Sequence, residues 1–249
     1  MTKQTVLITG ALTGIGRATA FAFARSGASI VISGRHQSEG KEMASELEEL
    51  GIKALFVKTD VRFESEVKDL IKTTVEHFGR IDVAVNNAGV EGQLVPIQKQ
   101  TLENYHHTFD ANVVGTMLAI KYEISQMLEQ GFGSIINLSS IAGHVGLANA
   151  SLYVASKHAI EGITKSVALE VASSGINVNA VAPGPIATKM LDRFVGNDDA
   201  IKQGFISQIP AKRAGSPEEV AATILFLASN QAKYINGQVI SIDGAYTAQ

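Results

Sequence analysis

The chain has no cysteine among its 249 residues. This absence excludes disulfide bonds, thiolate metal sites and cysteine nucleophiles together, and it is consistent with a reducing compartment. No apolar run reaches the roughly 18 residues that a membrane-spanning helix needs. Strand-like residues begin as early as Val6, which leaves no room for a signal peptide after Met1. We therefore expect a cytoplasmic protein that does not use a membrane as a partner.

Other absences narrow the classes of function. The formal net charge is only −3, which gives no broad attraction to nucleic acid or to an anionic membrane. The six histidines form no H-x3-H or HExxH set, so we expect no metal site. Ser140 is not part of a G-x-S-x-G turn, which disfavours acyl-transfer chemistry. The composition, 45% hydrophobic and 18% charged, is typical of a globular domain.

Short apolar segments alternate with helix-like segments along the whole chain. The apolar segments are rich in Val and Ile, which predicts strands covered on both faces at Thr5–Thr9, Ser29–Ser33, Ala54–Thr59, Asp82–Asn86, Ser134–Ser139, Asn177–Ala182 and Val239–Ile242. Helical periodicity predicts helices at Ala18–Ser26, Glu64–Phe78, Asn112–Glu129, Ser156–Ala172 and Pro217–Ala228. Repeated β-α-β units predict one domain, residues 1–249, with a doubly wound, Rossmann-like parallel sheet and helices on both faces.

Residues 183–210 are the least regular part of the sequence. They follow the sixth predicted strand and show no clean periodicity. In open α/β sheets, ligands bind beyond the carboxyl ends of the strands. We therefore expect this insertion, as loop or helix, to cover a substrate site.

A glycine-rich turn, Thr9–Gly16, follows the first predicted strand with the spacing G-x3-G-x-G. Glycines let the backbone turn sharply and approach a pyrophosphate, which the amides at the start of the next helix then hold. The spacing differs from the standard G-x-G-x-x-G, but its place between a strand and a helix favours a dinucleotide. The predicted contacts are Gly10, Thr13, Gly14, Ile15 and Gly16.

The ends of the next strands indicate which dinucleotide binds. An acid after the second strand would hold the adenosine ribose and repel a 2′-phosphate, but Ser33–His36 contains none. Arg35 can pair with a 2′-phosphate through its planar guanidinium, so we expect NADP in preference to NAD; the alternative is a solvated surface arginine. Further cofactor contacts are expected where the third and fourth strands end, with an Asp carboxylate at the adenine amino group: Asp60, Val61, Asn87, Ala88 and Gly89.

Three polar residues after the fifth predicted strand indicate a site for proton transfer. Ser140 follows the fifth predicted strand, and Tyr153 and Lys157 lie at i and i+4, on one face of a helix. A phenol titrates at about 10, and a neighbouring ammonium would lower that pKa. Tyr153 would then exchange a proton with a substrate oxygen that Ser140 orients, while a nicotinamide cofactor carries the hydride.

These segments, in this order and at these spacings, resemble a short-chain dehydrogenase/reductase of the classical type over essentially the whole chain. The matching segments are Thr9–Gly16, Asn86–Gly89, Ser140, Tyr153 with Lys157, and Pro183–Gly184. The resemblance implies that Asn112 completes a catalytic tetrad and holds a water in a proton relay with Lys157. It also implies that Lys157 bonds the nicotinamide ribose and that the loop after the sixth strand contacts the cofactor, through Pro183, Gly184, Ile186 and Thr188.

The resemblance also bears on the cofactor and on the assembly. The family has a basic residue just before the second glycine of the loop, but position 13 here is Thr, so Arg35 alone supports NADP. Members of the family commonly form tetramers or dimers. The segment Ile240–Tyr246 is apolar for a chain end and would suit a subunit contact. We therefore expect a homotetramer or a homodimer.

The expected substrate is a small alcohol or ketone. We expect its site at Ser140, His144, Asn149, Tyr153 and Leu191. Val145, Ala150 and the segment Lys189–Pro210 should line this site too, and the apolar residues of that segment indicate a partly hydrophobic substrate: Met190, Leu191, Phe194 and Phe205. Three alternatives stay open: an NAD-dependent sugar or polyol dehydrogenase, a 3-oxoacyl-thioester reductase, and a nucleotide-sensing or scaffold protein without catalysis. The last has no need for a tyrosine–lysine pair.

Overall fold

A computed structural model describes residues 4–196 and 198–249. Its strands form one seven-stranded sheet, all parallel, in the order β3-β2-β1-β4-β5-β6-β7. The strands are β1 Thr5–Thr9, β2 Ser29–Gly34, β3 Ala54–Lys58, β4 Val83–Asn86, β5 Gly133–Leu138, β6 Ile176–Pro183 and β7 Val239–Ile242. Each predicted strand is confirmed, and no end moves by more than one residue. The predicted doubly wound, Rossmann-like class is therefore confirmed.

Helices connect the strands and cover both faces of the sheet. They are α1 Gly14–Arg25, α2 Gln37–Glu48, α3 Glu64–Phe78, α4 Leu102–Phe109, α5 Gly115–Gln130, α6 Ser151–Val171, α7 Lys189–Phe194, α8 Asp199–Ser207 and α9 Pro217–Leu227. No helix within residues 4–196 and 198–249 is long and apolar enough to cross a membrane.

The two faces of the sheet carry separate hydrophobic cores. Successive strand side chains point to opposite faces. Val6 and Ile8 accordingly pack with apolar residues of α1, α2 and α9, while Leu7 packs with those of α3, α5 and α6. All three side chains are buried. This two-sided burial explains why the strands are apolar throughout instead of alternating with polar residues.

The sheet changes its winding direction at β1. The chain adds β2 and β3 on one side of β1 and then returns to place β4 on the other side. A crevice opens outside the carboxyl ends of neighbouring strands at such a switch point. Gly10 follows β1 and Asn87 follows β4, so both residues lie at this crevice.

Several helix ends differ from the expectation. The first helix begins at Gly14 instead of Ala18, and α6 begins at Ser151 instead of Ser156. The predicted helix from Asn112 begins as a π-helical turn, Asp110–Val114, before α5. Glycine-rich and capping segments have no periodicity. The periodicity therefore placed the start of these three helices too late along the chain. The irregular segment 183–210 contains α7 and α8.

A buried carboxyl group lies behind the crevice. Glu123 of α5 is fully buried, and its Oε2 accepts a hydrogen bond from Asn86 Nδ2 at 3.0 Å. Glu123 Oε1 and Asn86 Oδ1 are both buried and have no hydrogen-bond partner among the described residues. Both are acceptors, so a proton on the Glu123 carboxyl group would supply a donor that this buried pair lacks. Burial raises the pKa of Glu123 to about 7 from an ordinary 4.5.

We expect Glu123→Gln to remove a pH-dependent loss of stability. Because the folded state binds this proton more tightly than the unfolded state, the stabilisation is present at low pH and is lost as pH rises through about 7. Gln imitates the protonated acid, since its amide is uncharged and carries hydrogen-bond donors. The free energy of unfolding of the variant, relative to wild type, should rise by about 2 kcal/mol between about pH 5.5 and pH 8.5 in urea titrations. A pH-independent difference would contradict a neutral Glu123.

Candidate functional site

The turn after β1 is closed by contacts that only glycine permits. Gly10 has φ +62°, and a Cβ there would lie 2.7 Å from Ala88 Cα. Asn87 Nδ2 donates to the carbonyl oxygens of Thr9 and Gly10, at 3.1 and 2.8 Å. A Cβ on Gly16 would lie 2.5 Å from that same Nδ2 atom. The loop is therefore clamped to the end of β4 by Asn87, with its backbone exposed toward the crevice.

The start of α1 is open to an anion. Thr13 precedes the helix with extended backbone, and its side chain makes no capping hydrogen bond. No acidic residue occupies the first turn. Free amides and the positive end of the helix dipole therefore face the crevice, as a pyrophosphate requires.

A groove of about 1070 Å³ runs along the carboxyl ends of β1 to β4. Its lining extends from Arg35, after β2, to Thr188, after β6, and this extent suits a dinucleotide. Most of the cofactor residues expected from the sequence line it: Gly10, Thr13, Gly14, Ile15, Arg35, Asp60, Val61, Asn87, Ala88, Gly89 and Thr188. Gly16 lies behind the loop, where it makes room for Asn87 instead of facing the groove.

Arginines cluster at the β2 end of the groove. Arg17 pairs with Glu46, and Arg62 pairs with Asp60. Arg35 is exposed, lines the groove and forms no ion pair with any described residue. Its guanidinium is therefore available to a bound anion.

Asp60 reaches the groove, but its carboxylate already has a partner. Arg62 Nε and Nη2 donate to the two carboxylate oxygens, at 3.0 and 2.6 Å. The bond from Arg62 holds the pKa of Asp60 below its ordinary value. An adenine amino group would have to share this acceptor, a competition that sequence analysis did not anticipate.

The groove continues into a smaller cavity of about 140 Å³ beneath α7 and α8. Ile15, Asn87, Gly89 and Thr188 line both spaces. The cavity brings together most of the predicted catalytic, nicotinamide and substrate residues: Ser140, Tyr153, Lys157, Pro183, Gly184, Ile186, Thr188 and Leu191. Its remaining lining is largely apolar. A reactive carbon held here would lie next to both the phenol and the end of the groove.

Tyr153 and Lys157 lie in the first turns of α6, with only 9% and 6% of their surface exposed. Burial raises the pKa of Tyr153 to about 12, although a hydrogen bond from Ser140 opposes the rise. Burial also lowers the pKa of Lys157 to about 8. The expected lowering of the phenol pKa by Lys157 is therefore wrong for this structure, because burial disfavours the phenolate and is the largest influence on this pKa. Tyr153 holds its proton firmly at neutral pH.

Lys157 lies beside the phenol and is anchored by the sheet. Its Nζ donates to the carbonyl oxygen of Leu138 at 2.7 Å and lies 5.6 Å from the centre of the Tyr153 ring. Ser140 begins the short turn after β5, and its Oγ accepts from Ala142 N at 3.2 Å. This bond uses an acceptor position of Ser140 Oγ, so the hydroxyl hydrogen is available to Tyr153 or to a substrate oxygen.

Asn112 is buried in the π-helical turn before α5. Its Oδ1 accepts from Val90 N at 2.8 Å, and its Nδ2 donates to Val90 O at 2.9 Å. Nδ2 also donates to Ser156 Oγ at 3.0 Å, which links the turn to α6. Asn112 thereby ties the chain after β4 to the helix of Tyr153; its predicted water relay stays a prediction.

Two predicted substrate residues are placed elsewhere. His144 Nδ1 lies 3.3 Å from the buried carboxylate of Glu161, and His144 is not among the described residues that line the cavity. Asn149 is exposed in a turn with φ +66° and does not line the cavity either. Their spacing from Ser140 predicted that both residues lie near the site. In the loop 144–150, however, His144 turns toward Glu161 and Asn149 faces solvent.

Some residues around the cavity were not predicted from the sequence. Val90 and Leu147 line it, and Glu91 pairs with Arg193 of α7, which lines the adjoining groove. Val90 and Glu91 follow directly after the Asn-Asn-Ala-Gly segment, so their position was a usable signal. The sequence gives no signal for the pairing of Glu91 with Arg193, which lies 102 positions later.

Comparisons with known proteins span nearly the whole chain. The sequence model of a family described as Enoyl-(Acyl carrier protein) reductase matches residues 10–247. A 3-oxoacyl-(acyl-carrier-protein) reductase from Synechocystis sp. is 42% identical over 246 residues, 98% of this chain and 97% of the relative. The crystal structure of levodione reductase superposes with a TM-score of 0.96 at 35% identity, covering 100% of this chain and 99% of that one. The structure of ElxO with NADP bound superposes with a TM-score of 0.92 at 35% identity, covering 99% and 100%.

Proposed function

The chain belongs to the short-chain dehydrogenase/reductase family, an oxidoreductase family with nicotinamide cofactors, and on that premise we propose that it interconverts an alcohol and a carbonyl compound with NADP(H). In this proposal Tyr153 is the general acid of reduction and the general base of oxidation. The observation that carries it is the meeting of Ser140, Tyr153 and Lys157 in one cavity that continues the dinucleotide groove.

The residues of the cavity have separate tasks. Ser140 Oγ donates a hydrogen bond to the carbonyl oxygen and orients it toward the phenol. When bound, a nicotinamide dinucleotide supplies or accepts the hydride. Tyr153 gives its proton to the developing alkoxide, so the carbonyl carbon gains a C–H bond and the oxygen gains an O–H bond. The Lys157 ammonium, 5.6 Å from the ring centre, then stabilises the phenolate that remains.

The raised pKa of Tyr153 favours reduction at neutral pH. With a pKa of about 12, the phenol is protonated and ready to donate before each turnover. Oxidation needs the phenolate, so its rate should increase toward alkaline pH. Turnover of a reactive 1,2-diketone, followed through the loss of reduced cofactor, tests the proposed function. No turnover over a panel of ketones and alcohols, despite tight cofactor binding, would favour a nucleotide-sensing protein instead.

Arg35 supports NADP over NAD. It lines the groove where β2 ends and has no ion-pair partner among the described residues, whereas Arg17 and Arg62 are paired. The NADP-bound ElxO structure shows that a 35% identical relative binds this dinucleotide. A guanidinium binds a phosphate through two parallel hydrogen bonds, which are about twice as strong as neutral ones.

We expect Arg35→Ser to lower kcat/KM for NADPH at least about tenfold, because a charge-assisted pair is lost. The value for NADH should change less than about threefold, since the two dinucleotides differ only in the 2′-phosphate. NADH is thus the internal control for folding of the variant. An equal fall for both cofactors, or faster wild-type turnover with NADH, would overturn the assignment of NADP.

A 3-oxoacyl thioester is the second candidate substrate. The Synechocystis relative carries that activity in its name and is 42% identical. Comparing a 3-oxoacyl thioester with a simple ketone under the same conditions separates the two candidates.

A further inference from the structure

The segment after β4, Val90–Gln93, is fixed at both of its ends. Asn112 makes two hydrogen bonds to the backbone of Val90. Asn104 of α4 makes two to the backbone of Gln93, through Oδ1 at 2.8 Å and Nδ2 at 3.2 Å. Gly92 between them has φ +68°, and a Cβ there would collide with Thr108 Oγ1. The backbone of Glu91 is therefore held in one position, directly after the cavity-lining residue Val90.

Glu91 uses that position to bind α7. Arg193 Nε and Nη2 donate to the two oxygens of its carboxylate, at 2.5 and 3.1 Å. The Glu91 side chain is only 12% exposed, while that of Arg193 is 55% exposed. The helix that Arg193 belongs to carries Leu191 and Phe194, which line the cavity. The pair thus fastens the cover of the cavity to the fixed segment.

The negative charge of Glu91 also acts on Tyr153. Burial is the main cause of the raised pKa of Tyr153, and the Glu91 carboxylate adds to the rise. The same carboxylate raises the pKa of Arg193. One negative charge therefore acts on both the phenol and Arg193.

Two of the three cations of α7 and α8 are paired with carboxylates, and the third, Lys189, lines the dinucleotide groove and not the cavity. Arg193 is paired with Glu91, and Lys202 of α8 is paired with Asp192 at 2.5 Å. Among the described residues that line the cavity, Lys157 is the only cation, and its Nζ already donates to a backbone carbonyl. Phe194 stacks on Phe205 across the cover, with ring centres 6.2 Å apart. A carboxylate on the substrate would meet mostly apolar side chains, with the Lys157 ammonium as the one cation among the described lining residues.

We propose that Glu91 is a specificity-determining residue that makes the site select uncharged, apolar carbonyl compounds over keto acids. It acts in two ways: it occupies the guanidinium of Arg193 that would otherwise bind an anion, and it repels an anion itself. The inference rests on the proposed carbonyl reduction. To that proposed function it adds the class of substrate, uncharged carbonyl compounds, and the residue that selects them.

The test compares a 3-oxo acid with its ethyl ester, acetoacetate and ethyl acetoacetate, at saturating reduced cofactor. Wild type should prefer the ester. Glu91→Gln releases Arg193, so the ratio of kcat/KM for acid over ester should rise at least about tenfold, mainly through a lower KM for the acid. Arg193→Gln leaves Glu91 uncompensated, so the same ratio should fall. The double variant should lie between the two singles, because neither charge remains.

Glu64→Gln is the matched control. Glu64 of α3 pairs with Lys121 of α5 on an exposed surface outside the groove, so its loss releases a cation without changing the ratio. An unchanged ratio in both Glu91→Gln and Arg193→Gln, or shifts in the same direction, would overturn the inference while the enzyme still reduces the ester. Loss of turnover with both substrates in wild type would instead overturn the proposed function.

Discussion

Tyr153→Phe is expected to lower kcat/KM for carbonyl reduction about a thousandfold, the middle of the range for general acid catalysis. The phenol lines the cavity and interacts with Ser140, which places it to give a proton to the substrate oxygen that Ser140 orients. Phenylalanine keeps the ring, so its edge-on contact with Phe194 should persist. The dissociation constant of the reduced cofactor should therefore change less than about threefold.

The matched control for this variant is Tyr105→Phe. Tyr105 is a partly exposed tyrosine of α4 that stacks on Phe109 outside the cavity. Its loss of a hydroxyl should leave turnover unchanged. Turnover of Tyr153→Phe within tenfold of wild type, with a tested substrate, would mean that another group supplies the proton.

Gly10→Ala should weaken cofactor binding at least about tenfold, the value of one lost hydrogen bond between a helix amide and a charged phosphate. A Cβ at position 10 would lie 2.7 Å from Ala88 Cα and 3.0 Å from Ala88 N. Both are backbone atoms, so no flexible side chain can give way. The turn must move away from β4, and with it the amides that face the groove. Fluorescence titration with reduced cofactor measures the change.

Gly27→Ala separates this clash from backbone strain. Gly27 also has a positive φ, +88°, but a Cβ there would have no atom within 4 Å. Both variants carry the strain of a left-handed alanine, and only Gly10→Ala carries the collision with Ala88. Equal cofactor affinity of the two variants would show that the glycine turn is not the pyrophosphate site.

The strands were predictable because each is buried on both faces. Leu7 and Ile8 point to different cores, and both must be apolar, so β1 stands out in the sequence without any alternation. Helix α2 was not predicted, because only Gly40, Met43 and Leu47 of it are buried. Helices α7 and α8 are short, and Leu191 is the single buried residue in α7. Periodicity needs more buried turns than these segments contain.

The site was predictable to the extent that strand ends define it. Parallel strands bring their carboxyl ends to one edge, so residues after β1, β2, β4 and β5 had to meet there. Side chains on loops were not predictable: His144 turns to Glu161, and Asn149 faces solvent. The direction of the Tyr153 pKa was also wrong, because a sequence shows that a lysine is near but not how deeply the phenol is buried.

The central claim is direct hydride transfer at the cavity that holds Tyr153. Its most direct test uses reduced cofactor that carries deuterium at C4 of the nicotinamide, with a reactive ketone, and mass spectrometry of the alcohol formed. The account predicts one deuterium on the carbinol carbon of each alcohol, from one face of the cofactor, and about a thousandfold slower formation in Tyr153→Phe. Alcohol without deuterium, or cofactor that binds in the groove and is never consumed, would contradict it.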